Sequence, residues 1–96
     1  MIAAYSSVVA VKEQVSSDLA GEAVILNLKS GVYHNLNAVG ASIWNLIQEP
    51  RTVNEIRDAL LVEYDVESEQ CEYELLALLQ QLEAGGLIEV SNEAAA

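Results

Sequence analysis

The stretch Val32-Tyr33-His34-Asn35-Leu36-Asn37-Ala38-Val39-Gly40-Ala41-Ser42-Ile43-Trp44-Asn45-Leu46-Ile47 contains the change of period on which the fold turns. Val32 to Asn35 reads as a short strand, whereas Val39, Ile43, Leu46 and Ile47 recur at helical spacing. Asn37, between them, is a residue type whose side chain accepts from the free N–H groups of a first helical turn. Strands are therefore expected before Leu36 and helices after it. Toward the amino terminus, Lys29-Ser30-Gly31 is a hairpin-length connection, with Gly31 able to take positive φ. Ala23 to Leu28 is a β-prone run, Ser16 to Gly21 a turn or short loop, and Val8 to Val15 a further strand. Two short connections predict an antiparallel meander.

In the other direction, Pro50 is expected to end the first helix at Gln48 or Glu49. Thr52 and Glu55 form a capping box. It opens a second helix with Val53, Ile56, Leu60 and Tyr64 on one stripe. Asp65-Val66-Glu67 is a connector. Ser68 is expected to cap a third helix whose first-turn Glu69 and Glu72 suit the positive end of its dipole. That helix runs to Ala84, and Gly85-Gly86 stops it. Leu87 to Val90 is a short extended piece and Ser91 to Ala96 a frayed tail. Strands followed by helices give an α+β class, a three-stranded antiparallel β-meander followed by three helices. The helical part is winged helix-turn-helix-like. At 96 residues, of which 52% are hydrophobic, the expectation is a single domain over 1–96 with its core at about 8–90.

Charge narrows the function. Four basic residues stand against fifteen acidic ones, a net of −11. Phosphate neutralisation needs clustered Lys and Arg, so nucleic acid is not an expected partner. Residues 1–52 carry Lys12, Lys29 and Arg51 against Glu13, Asp18, Glu22 and Glu49. Residues 53–96 carry Arg57 alone against eleven acids, the densest being Glu63, Asp65, Glu67, Glu69, Glu72 and Glu74. A basic partner would be drawn to that half; the plainer reading is a solubilising surface. No stretch reaches the length of a membrane span. No secretory signal is seen, so the default compartment is the cytoplasm.

Catalytic chemistry has little to stand on. His34 is the one histidine and Cys71 the one thiol, on different predicted elements. Cys71 shares the stripe of Leu75, Leu78, Leu79 and Leu82 and reads as core. One His and one Cys make no zinc set. The alternating acids at Glu63–Glu69 lack the glycine and bidentate Glu of a calcium loop. No cofactor and no metal are expected.

Binding surfaces remain. If strand order follows sequence order, Val32-Tyr33-His34-Asn35 is an edge without Lys, Pro or Glu to blunt it. Either a loop or a second copy covers it, or an extended peptide adds to it. On the third helix Leu76 lies about 100° from the centre of the apolar stripe, beside Glu72 and Glu83. It either widens the core or anchors whatever lies along the edge.

These residues carry a resemblance. Gly31-Val32-Tyr33-His34-Asn35-Leu36-Asn37, Gly40, Ile43-Trp44, the Pro50–Ile56 run, Tyr64-Asp65-Val66, Leu78-Leu79-x-x-Leu82 and Gly86-Leu87-Ile88 together resemble the PqqD-like family, the RiPP recognition elements. The resemblance implies a non-catalytic domain that captures the leader of a ribosomally made precursor peptide as an added strand. It implies contacts from Val32, Tyr33, His34 and Asn35 on the strand. From the third helix it implies Glu72, Leu75, Leu76, Leu79, Gln80 and Glu83. The subgroup most similar is the stand-alone protein of split lasso-peptide pathways, whose partner is a cysteine-protease-like leader peptidase. PQQ or radical-SAM-associated chaperones, with a radical SAM enzyme as partner, share the string. Two readings of other classes stay open: a winged-helix DNA-binding regulator, opposed by the charge, and a self-pairing homodimer.

Overall fold

A computed structural model describes residues 2–19 and 21–92. Its elements are β1 (Ser7–Ala10), β2 (Gln14–Leu19), β3 (Glu22–Asn27), β4 (Tyr33–Leu36), α1 (Ala38–Leu46), β5 (Arg51–Thr52), α2 (Val53–Glu63), α3 (Ser68–Ala84) and β6 (Ile88–Ser91). The α+β order expected from the sequence is present. An antiparallel meander β2-β3-β4 is followed by three helices, and a second antiparallel sheet β5-β1-β6 is added to it.

The helices begin as their caps require. Asn37 Oδ1 accepts from the Gly40 N–H at 2.9 Å and starts α1. Thr52 Oγ1 accepts from Glu55 N–H at 3.1 Å, and the Glu55 carboxylate accepts from Thr52 N–H at 2.8 Å. This reciprocal pair opens α2 and holds the Glu55 carboxyl below its ordinary pKa. The α3 N-cap is Glu67, one residue before the expected Ser68, and its side chain makes no capping bond. Helix α1 ends at Leu46, two residues before the earliest stop expected from Pro50. Gly86, at φ +70°, closes α3 where the sequence places the stop.

The first expected strand is divided. Ser7–Ala10 pairs with Arg51–Thr52 on one side and Ile88–Ser91 on the other. The chain then crosses to the other sheet, and Gln14–Leu19 pairs with Glu22–Asn27. Ser16 to Leu19, expected in a turn, therefore belong to a strand. Residues 15–18 are all exposed on the meander's outer edge, so β2 carries none of the apolar alternation that marks a half-buried strand. Ser91, expected in the tail, is the last residue of β6. The remainder of that tail, residues 93–96, lies outside the described residues.

The core is continuous through both sheets and the helices. Val8, Ile25, Ile47, Ile56, Leu79 and Leu87 are each fully buried, with Trp44, Leu75 and Leu82 almost so. Cys71, also buried, joins that cluster as the sequence stripe implies.

Candidate functional site

Strand β4 is the last strand of its sheet and pairs only with β3 among the described residues. Asn27 N–H donates to the Val32 carbonyl at 3.0 Å. Stepping two residues along each antiparallel strand, the bonded pairs are Ile25 with His34 and Ala23 with Leu36. Tyr33 and Asn35 therefore turn their N–H and C=O groups away from the sheet. Four backbone groups face outward as a ready template for another strand.

What holds β4 beside α3 is a buried residue the sequence reading passed over. Asn27 Nδ2 donates to the Gly85 carbonyl at 2.8 Å, and its Oδ1 accepts from Lys29 N–H at 2.9 Å. One amide thus ties the β3–β4 turn to the end of α3. Gly31, at φ +74°, completes the turn. Gly85 gives the His34 ring its place: a Cβ there would stand 2.7 Å from His34 Nε2, and the ring would have to shift. The signal for Asn27 was present, since an Asn two residues before Lys29 at the close of the Ala23–Leu28 run is an Asx-turn pattern.

A cavity of about 380 Å³ lies between these elements. Asn35, Leu36 and Asn37 form one wall. Val39, Gly40 and Ile43 of α1, with Leu60, Tyr64 and Val66, form a second. From α3 come Cys71, Glu74, Leu75, Leu78 and Gln81, with Tyr73 and Ala77 at the rim. This volume is at the small end of ligand pockets and suits apolar side chains better than a cofactor. Ser42 Oγ and Tyr64 Oη are 2.9 Å apart, and Tyr64 Oη reaches the Ala38 carbonyl at 3.4 Å, so the α2–α3 connector is pinned to α1. Glu74 is the one charged residue lining the cavity among the described residues, and it accepts from Gln70 at 3.0 Å. Burial pushes the Cys71 thiol pKa up, and the Glu74 charge adds to the rise.

The strand residues expected from the sequence divide by side-chain direction. Val32 and Tyr33 are exposed at the edge, Asn35 borders the cavity, and His34 turns inward toward Gly85. His34 Nε2 is buried without a hydrogen-bond partner among the described residues. Of the six expected helix residues, Leu75 alone lines the cavity. Leu79 is fully buried core, and Leu76 packs against that core. Glu72 lies 3.9 Å from Arg57 on α2, and Gln80 and Glu83 are exposed away from the cavity. The flank of α3 that faces β4 carries Glu74, Leu78 and Gln81; the other flank, with Glu72 and Leu76, faces α2. Both lie within roughly 60–120° of the Leu75 stripe, so periodicity alone does not choose between them.

Among the described residues no group of three or more His, Cys, Asp or Glu is placed to hold a metal. No helix among them is long and apolar enough to cross a membrane.

The profile of the family described as coenzyme PQQ synthesis protein D matches residues 22–88, which span β3 through the start of β6. The chain belongs to the PqqD family. No curated protein matches this PqqD-family chain. Two solved structures share its fold. TbiB1 in complex with the TbiA(beta) leader peptide is 33% identical, with a TM-score of 0.77, and covers 91% of this chain and 99% of that one. Lasso peptide synthetase B1 complexed with the leader peptide is 24% identical, with a TM-score of 0.73, and covers 85% and 96% respectively; at that identity the likeness is one of fold.

Proposed function

We propose that this PqqD-family chain captures the leader of a ribosomally made precursor peptide as a strand added to β4, and delivers it to a separate processing enzyme. The observation that carries the reading is the open edge at Tyr33 and Asn35 alongside an apolar cavity. Backbone bonds to such an edge are indifferent to sequence, at about 0.5–1.5 kcal/mol net each. Selection comes from alternate side chains of the guest dropping toward Leu36, Leu75 and Leu78, each contributing about 1.5–3 kcal/mol when fully buried. The leader bound by the 33% identical TbiB1 supports the same class of guest here. The chain acts without chemistry of its own: its one thiol is buried with a raised pKa, the reverse of an activated nucleophile. Its contribution to the enzyme is effective concentration. On the resemblance drawn from the sequence, the pathway is a split lasso-peptide one and the recipient a cysteine-protease-like leader peptidase.

The test is a titration of the leader segment of the precursor peptide encoded beside this chain. Tyr33→Pro removes one outward donor and leaves the β3 ladder intact, because that N–H does not face β3. Leu78→Asp puts a charge in the cavity wall. Each should weaken binding at least about tenfold, whereas Leu76→Asp, on the α2 flank, should bind like the parent. Parent-like binding by folded Tyr33→Pro and Leu78→Asp overturns the proposal. Loss in Leu76→Asp alone moves the site to the other flank.

A further inference from the structure

We infer that the groove selects its guest by charge position as well as by apolar side chains, taking an extended peptide with Lys or Arg on its amino-terminal flank. The inference rests on the peptide-capture reading above.

The two ends of the edge differ electrically. At the Leu36 end the cavity is bounded by Glu74 and by the α2–α3 connector, which contributes Tyr64 and Val66. That connector also carries Asp65 and Glu67, and Glu63 ends α2 just before it. Among the described residues neither Lys nor Arg lines the cavity. Ser42 Oγ donates to the Glu63 carboxylate at 3.3 Å and stands 2.9 Å from Tyr64 Oη, which ties the end of α2 and the start of the connector to α1; Asp65 and Glu67 flank the lining residue Val66 in the chain. At the opposite end, a second cleft of about 510 Å³ is lined by Lys12 and Lys29 with Asn27 and Gly86. Gly86 follows Gly85, against which His34 of β4 rests, so this cleft adjoins the beginning of β4. Both lysines of the molecule stand there, offset by Glu13 and Glu89. One end of the edge is strongly negative and the other nearly balanced.

Strand direction converts this gradient into a rule about the guest. Every strand pair among the described residues is antiparallel, and antiparallel pairing is the more stable per residue. A guest antiparallel to β4 lays its amino-terminal side over the Leu36 end, beside Glu74 and the connector. Cations there meet carboxylates next to a low-dielectric wall. Acidic residues there are repelled, while at the carboxyl-terminal side they face the lysines.

A phage-displayed random-peptide library panned on the full chain reads this out. Enriched peptides are expected to carry Lys or Arg before an apolar pair and not after it. Synthetic versions should bind the triple variant Asp65→Asn, Glu67→Gln, Glu74→Gln about five- to tenfold more weakly than the parent. Their salt dependence should flatten. A version with the basic residues moved to the carboxyl-terminal flank should be insensitive to the same substitutions. Basic residues enriched evenly on both flanks, or not at all, overturn the charge rule. A Tyr33→Pro control separates the two failures: peptides that need the β4 edge but show no flank preference defeat this inference alone. Peptides that bind Tyr33→Pro as well as the parent defeat the strand-capture reading beneath it.

Discussion

Cys71 combines burial, a raised pKa and a place on the cavity wall. Its thiolate population at mildly alkaline pH is therefore below that of an ordinary cysteine, and alkylation by iodoacetamide should be slow. Because the thiol lines the groove, an occupying peptide should slow it several-fold more, read as a modification rate by mass spectrometry. Equal rates in free and saturated protein would separate the guest from the cavity. The stripe that marks Cys71 as core is plain in the sequence. Its exposure to the groove is not, because a stripe reports which side of a helix is apolar and says nothing about what lies above the margin. Asn27 shows the converse: its turn-forming role has a local pattern, but its bond to the Gly85 carbonyl joins residues far apart in the chain.

At the scale of elements, the capping box of α2 is the best-defined local device. Thr52→Ala removes one of its two bonds and should cost about 1 kcal/mol, read as a fall in urea midpoint. The Glu55 carboxyl has its pKa lowered chiefly by the Thr52 backbone N–H. A depressed carboxylate contributes stability that is present above its unfolded-state pKa and is lost as pH falls through the folded one. The difference in midpoint between the parent and Glu55→Gln should therefore persist near neutral pH and close as the pH falls below the ordinary glutamate range. A difference unchanged into acid would mean that shape alone, and not charge, makes the cap. Helices were the legible elements because caps and 3.6-residue periods are local. Strands β1 and β2 were not, since Val8 to Val15 has the same residue types whichever sheet each half joins. The break is imposed by Ile88–Ser91, which pairs with β1 from the far end of the chain.

For the molecule as a whole, the net of −11 is carried mostly by α2, α3 and their connector. The ion pairs among the described residues, Arg51 with Glu49 and Arg57 with Asp58 and Glu72, involve only three of the fifteen acidic residues. Self-repulsion should therefore outweigh attraction, and moderate NaCl should raise the melting temperature by screening it. A melting temperature that falls with salt would show that the few ion pairs dominate. The same salt should weaken capture of a basic-flanked peptide, so stability and binding are expected to move in opposite directions.

The amino-acid order by itself determined the succession of meander and helices, the caps at Asn37 and Thr52, the stop at Gly85-Gly86 and the absence of basic clusters. Each follows from neighbours within a few residues or from composition. Tertiary structure decided which flank of α3 looks at β4, where the first strand divides, and that Glu74 borders the groove. These depend on how elements distant in sequence pack, and an amphipathic helix buries the same stripe whether its left or its right margin borders the groove.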